Sequence, residues 1–200
     1  MSSIYVANHV TLDGVIQGPG RAEEDTRGGF TRGGWAQGAV NDEVAAVLGE
    51  RVVQAGGMRL LLGRRSYDDM LGHWNTEGGP FKEGLNSAQK YVVSHNPETV
   101  LAWPNSTLIS GSVIESIRAL TREPGADLCI MGSGELVRTL LDHGLIDELL
   151  LFVHPLVLGQ GERLFPDRGP EVRLRQLRIQ GTSTGVTIAH YLVERDAPQG

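Results

Sequence analysis

Residues 127–136 read DLCIMGSGEL. Asp127 to Met131 is a short, largely apolar run of the kind that forms a buried strand, and it stops at Gly132, Ser133 and Gly134. A helix pattern follows at once, with Leu136, Val137, Leu140 and Leu141 as its inward stripe and Gly144 as its end. Glycines at such a turn let backbone approach a ligand closely. The start of the helix, Glu135 and Leu136 included, presents unpaired N–H groups and a partial positive charge. The turn is therefore either a cradle for a phosphate group or a tight connection that takes glycine for its own geometry. It is not GxGxxG, because Val137 stands at the last glycine position, so a standard Rossmann domain is disfavoured.

The same alternation extends in both directions. Upstream, Ile4 to Val10 reads as a strand, Asn41 to Ala55 as a helix, Arg59 to Leu62 as a strand and Ser66 to Leu71 as a short helix. Asn41 is the expected N-cap, with Asp42 and Glu43 at the positive end of the dipole. Tyr91 to Val93 and Thr107 to Ile109 are further strands, the latter before a helix built on Val113, Ile117 and Leu120. Downstream, Leu149 to Val153 is a continuous apolar run suited to a strand covered on both faces. Leu174 to Ile179 and Val186 to Val193 could pair as a hairpin through Gly181 to Gly185. This order predicts one α/β domain over residues 1–200, a sandwich with a mainly parallel central sheet and antiparallel strands at its C-terminal edge.

Composition narrows the function. A 200-residue chain with 18 basic and 24 acidic side chains, net charge −6, lacks the basic surface that nucleic-acid binding needs. Cys129 is the single cysteine, which rules out an intrachain disulfide, and the histidines show no metal-ligand spacing, so no metal is expected. The first twenty residues contain no Lys or Arg, and no apolar run approaches the ~18 residues that span a bilayer. The expectation is a cytoplasmic protein with a small-molecule ligand and neither nucleic acid nor membrane as partner. Eight of the 27 glycines fall between Gly14 and Gly38, where no period survives. A loop of that length is either a binding loop or a flexible insertion.

Ligands of open α/β sheets sit where strands hand over to helices. Besides the 132–136 turn, two other junctions carry polar groups. In LLLGRRSY (Leu60 to Tyr67) a strand ends at Gly63, and Arg64 and Arg65 stand at the positive end of the helix that includes Ser66. Two cations there gain nothing for folding, which suggests an anionic ligand; pairing with Asp68 and Asp69 is the alternative. In YVVSH (Tyr91 to His95) a strand delivers Ser94 and His95 to its carboxyl end.

TLDG (Thr11 to Gly14), LLLGRRSY, KYVVSH (Lys90 to His95) and MGSGELVRTLLDHGLIDELLLFVHPLVLGQGERLF (Met131 to Phe165) together resemble the dihydrofolate reductase-like superfamily. Within it the chain is most similar to small reductases like the C-terminal reductase domain of the bifunctional riboflavin-biosynthesis protein. The resemblance implies an NADPH site. Gly132, Ser133, Gly134, Glu135 and Leu136 would cradle the pyrophosphate, with Gly63 and Ser66 on its other side. Arg64 and Arg65, with Ser94 and His95, would meet the 2′-phosphate, and Ala7 and Gly18 would lie near the nicotinamide. Asp13 is the candidate for proton handling or substrate orientation, against the plain reading of Asp-Gly as a turn. A homodimer is implied as well.

Two departures bear on the substrate. Dihydrofolate reductases carry an acid five residues after a tryptophan, where this chain has Val40 after Trp35. Riboflavin-pathway reductases carry glutamate before the Gly-rich turn, where this chain has Met131. The expected activity is hydride transfer from NADPH to a small heterocycle, carbonyl or imine. A 5-amino-6-(5-phosphoribosylamino)uracil reductase-like activity is one form of it. Dihydrofolate reduction, or NADPH binding without catalysis, are the alternatives.

Overall fold

The computed structural model describes residues 1–165, 167–169 and 171–194. Eight strands form one sheet: β1 Ile4–Thr11, β2 Arg59–Gly63, β3 Gln89–Val93, β4 Ser106–Ile109, β5 Leu128–Ile130, β6 Glu148–His154, β7 Arg173–Gly181 and β8 Thr187–Glu194. Their order is β4-β3-β2-β5-β1-β6-β8-β7. The first six run parallel, and β8 and β7 close the edge antiparallel, as the sequence pattern predicts.

Three helices cover one face: α1 Asp42–Gln54, α2 Arg64–Glu77 and α3 Gly79–Ser87. Beneath them lie Tyr5, Ala7, Leu60, Leu62 and Phe152. On the other face α4 Val113–Arg122 and α5 Gly134–Asp142 cover Ile4, Val6, Leu61, Ile130 and Leu149. Strand alternation sends neighbouring residues to opposite layers, which is why β1 and β2 are apolar throughout. Asn41 caps α1 as expected, its side chain accepting from the Val44 N–H at 3.2 Å.

Two helices depart from expectation. α2 begins at Arg64 and runs past Leu71 to Glu77, because Tyr67, Leu71 and Trp74 continue one inward stripe until Gly78 stops it with φ +81°. α3 has no sequence signal, since Leu85 is its only buried residue. Tertiary contacts hold it. The Lys90 ammonium, fully buried on β3, donates to the carbonyls of Leu85 (2.6 Å), Asn86 (3.3 Å) and Ala88 (2.7 Å), closing the end of the helix.

A charged network ties together the amino ends of β1, β5 and β6. Arg51 of α1 lies over the Tyr5 ring, 4.0 Å from its centroid, and donates to Asp127 at 3.1 Å and Glu148 at 3.0 Å. His190 contacts the same Glu148 oxygen at 2.8 Å. Cys129 beside it is fully buried, and burial pushes its thiol up to about 12, so it behaves as the small core residue that its apolar strand suggests.

Candidate functional site

The opposite, carboxyl edge of the sheet gathers the three polar junctions, because parallel strands end there together. β3, β2, β5, β1 and β6 are consecutive neighbours, which places Ser94, Arg64, Gly132, Asp13 and the segment after His154 in that order along one rim.

The central junction is interlocked by hydrogen bonds. The Gly63 N–H donates to Ser133 Oγ at 2.9 Å, and the Ser133 N–H donates to Ser66 Oγ at 2.8 Å. Asn8 of β1 grips the turn from the other side, accepting from the Gly132 N–H at 2.6 Å and donating to its carbonyl at 3.0 Å. Gly132 and Ser133 both sit in the left-handed region, at φ +63° and +52°. A side chain at Gly132 would bring its Cβ to 3.0 Å from Ser66 Oγ, and one at Gly134 would strike Ile16 Cδ1 at 2.4 Å. The N–H groups of Gly132 and Ser133 are thus spent inside the turn. Neither α5 nor α2 has a side-chain cap, so the first-turn N–H groups of both helices face the rim. The N–H groups left to meet a ligand at this rim are then those of Gly134, Glu135 and Leu136 on one side and Arg65 and Ser66 on the other, a smaller set than the whole 132–136 turn.

Around that centre the expected residues take different positions. Arg64 is half-exposed and paired with Asp68 at 2.5 Å, whereas Asp69 is taken by Arg21 from the long loop and Arg65 is exposed. Ser94 shapes the turn after β3, bonded to Thr99 Oγ1 at 2.7 Å, and His95 is exposed beside it. Ala7 is buried under α1, and Gly18 is buried within the long loop, φ +58°, accepting from the Gly34 N–H.

The 14–38 segment has no regular structure beyond a 3₁₀ turn at Arg27–Gly29, but it is closely tied to the loop after β6. Val15 bridges Arg163, Gln17 Oε1 accepts from the Glu162 N–H at 2.9 Å, and Arg32 donates to the Leu158 carbonyl. A hollow of about 240 Å³ between the loops is walled by Gln17, Arg27, Phe30, Gln160 and Glu162. Arg27 there is engaged by Asp25 and, at 3.6 Å, by Glu162, so the polar walls serve each other.

Asp13 belongs to the same lacing. Its Oδ1 accepts from Thr11 Oγ1 (2.6 Å) and the Leu158 N–H (3.1 Å), and its Oδ2 from the Gly159 N–H (2.8 Å). Burial would raise this carboxyl, but the Thr11, Gly159 and Leu158 hydrogen bonds outweigh it and lower it to about 2. A carboxylate so held does not carry a proton at neutral pH. Its geometry is that of a brace, with Gly14 completing the turn at φ +86°.

Sequence reading passed over one further cluster. His9 of β1 and His154 of β6 point to the same face, with His9 Nδ1 2.9 Å from His154 Nε2. Phe152 packs on His9 at 5.0 Å, and Trp35 of the long loop stands edge-on to His154 at 5.1 Å. The histidines are 145 residues apart, so only the β1–β6 register brings them together. Asn8 was hidden for the same reason.

Comparison with known proteins gives this arrangement a family. The model of the RibD C-terminal domain matches residues 2–188. The chain belongs to the RibD C-terminal domain family. It is 31% identical over 134 residues to the uncharacterized protein YyaP of Bacillus subtilis (strain 168), covering 64% of this chain and 69% of that one. A putative riboflavin biosynthesis protein from Shewanella sp. PV-4 is similar in structure, with TM-score 0.68, 22% identity and coverage of 98% and 100% of the two chains. Dihydrofolate reductase from Enterococcus faecalis, complexed with NADP(H), is similar with TM-score 0.60, 14% identity and 96% and 94% coverage. The fold is therefore dihydrofolate reductase-like, with the three-layer arrangement expected.

In this RibD C-terminal domain, Asp13→Asn tests the brace. The amide that replaces one oxygen cannot accept from both loop N–H groups and Thr11 at once. Amide exchange at Leu158 and Gly159 is expected to speed up by about 10-fold or more at pH 7, consistent with loss of roughly 1.5–3 kcal/mol from charged hydrogen bonds. In the unmutated protein the brace persists as pH falls well below 4 and is released only near about 2, because the group is held below its ordinary range.

Proposed function

We propose that this protein is an NADPH-dependent reductase acting on a small heterocyclic, carbonyl or imine substrate. The observation that carries the reading is the pair of uncapped helix starts, α2 and α5, joined through Ser66, Ser133 and Gly63 on adjacent strands. The residues present suit a dinucleotide diphosphate: two glycine positions with no room for a side chain, first-turn N–H groups without a side-chain cap and two guanidinium groups close by. Gly134, Glu135, Leu136 and Ser66 would hold the diphosphate. Arg64, turned from Asp68, and Arg65 would meet the 2′-phosphate with Ser94 and His95 beyond them. Gly63 and Gly132 would keep the backbone close to the ligand, and Ala7 and Gly18 would stand toward the nicotinamide.

When bound, the nicotinamide supplies a hydride to an electrophilic carbon. The chain's part is to orient the substrate between the β1 and β6 ends and to exclude water with the laced loops, whose brace is Asp13. The same reading places the protein in the cytoplasm as a homodimer, in which a second copy covers the exposed Leu174, Leu177 and Ile179 of edge strand β7. NADPH binding without catalysis is the second reading, favoured by the full engagement of Asp13 by its own chain.

Calorimetric titration with NADPH and NADH tests the proposal. Tight NADPH and weak NADH binding are expected, and binding of neither would refute it. In the Arg64→Ala/Arg65→Ala variant, NADPH affinity is expected to fall by about 30-fold and NADH affinity by less than 3-fold, since paired charge on a phosphate contributes on the order of 2 kcal/mol. Equal losses for the two cofactors would remove the 2′-phosphate assignment.

A further inference from the structure

We propose that His9 passes the proton to the substrate and that His154 is a positioning residue behind it, an inference that rests on the reductase reading above. The argument begins with the strand. Ala7 and His9 are two residues apart on β1, hence on one face and about 7 Å from each other. His9 therefore stands one step nearer the rim than the position assigned to the nicotinamide.

The pairing defines which nitrogen is available. Two imidazole nitrogens 2.9 Å apart share one hydrogen, with one ring donating and the other accepting. His154 is 1% exposed, whereas His9 is half-buried and its Nε2 has no hydrogen-bond partner among the described residues, so exchange with the outside runs through His9. The groups facing the pair are Phe152 from β6 and Trp35 from the long loop, and the Trp35 indole is itself fixed by a 2.7 Å hydrogen bond to the Gln17 carbonyl. Among the described residues, the titratable group that acts on His9 is His154. Burial first, and then His154, lower His9 to about 4, and burial lowers His154 as well. An imidazolium formed there is a stronger acid than free histidine. Asp13 cannot serve in its place, because both of its oxygens are engaged and it stays ionised.

The step balances as a two-electron reduction. As the substrate carbon accepts hydride, the electron pair of its double bond moves to the attached nitrogen or oxygen. That atom takes the proton from His9 Nε2, and His9 returns to the neutral form and is reprotonated by water. His154 keeps Nδ1 of His9 occupied, so that Nε2 is the exchanging atom.

Imidazole nitrogen NMR of the protein with and without saturating NADPH decides the matter. The expected result is a coupled titration of His9 and His154, a movement of the His9 signals when NADPH is added, and none at His143 or His190. The His154→Gln variant is expected to raise the His9 titration point. Both His154→Gln and His9→Gln should bind NADPH within 3-fold of the unmutated protein. With menadione and 7,8-dihydropterin as acceptors, His9→Gln should lose at least 30-fold in kcat and the rise in rate toward low pH. His154→Gln, which retains a side-chain amide, should lose less and shift the pH profile upward. NADPH binding with an unmoved His9 signal, or undiminished turnover in His9→Gln, overturns the inference. If neither acceptor is reduced, the NMR result alone decides. Failure of the unmutated protein to bind NADPH refutes the reductase reading instead.

Discussion

Gly132→Val is expected to weaken NADPH binding at least 100-fold, about 3 kcal/mol, while the protein still folds. A β-branched residue at φ +63° is strained by about 1–3 kcal/mol, and its Cβ meets Ser66 Oγ at 3.0 Å. Ser66 must then release the Ser133 N–H, and the start of α5 turns away from that of α2. Strain by itself is controlled by Gly144→Val, a position with φ +62° and nothing within 4 Å of the added Cβ. Calorimetry should show near-normal NADPH affinity for the Gly144 variant. Equal losses in both variants would mean that the turn is structural only, the alternative that the 127–136 stretch left open.

Arg51→Met should produce the largest stability loss, about 3–5 kcal/mol, because it removes the buried cation shared by two carboxylates and leaves Asp127 and Glu148 without it, His190 alone remaining beside Glu148. For a chain of this size each kcal/mol corresponds to about 2–4 °C in Tm, so a fall of roughly 6–20 °C is expected by calorimetry. The effect depends on pH with a definite sign. A hydrogen bond from His190 lowers the Glu148 carboxyl, burial opposes this, and Arg51 lowers it further. Its stabilisation is therefore full above the ordinary glutamate range and fades as pH falls through the lowered value. The gap between variant and unmutated protein should narrow below about pH 4.5. NADPH affinity should hardly change, since Arg51 lies at the end of the sheet away from the rim. A variant of unchanged Tm would show that Tyr5 packing, rather than charge, holds that end together.

The alternation of strands and helices, the Asn41 cap and the glycine turn were legible because each is written in consecutive residues. The antiparallel edge was legible for the same reason, through the Gly181 to Gly185 connection. α3 was not, because one buried residue, Leu85, leaves no period to detect, and its end is closed by Lys90 from a later strand. The site divides along the same line. Gly132, Ser133, Gly134 and Ser66 declare themselves by local composition. Asn8, His9 and His154 acquire meaning only from the parallel register of β1 with its neighbours. Asp13 in TLDG reads equally as a proton-handling acid or a turn former, and its brace to Leu158 and Gly159 depends on a loop that local sequence cannot position.

The central place of β1 has a consequence for how the chain is made. Ile4 to Val10 leaves the ribosome well before its partners β5 and β6, and Ile4 waits for Leu128. Until they have followed, an apolar strand is without either neighbour, and such distant pairing makes folding slow, on the order of milliseconds to seconds. Overexpression at high temperature should therefore send nascent chains into inclusion bodies through this segment, and slower translation or a holding chaperone should recover them.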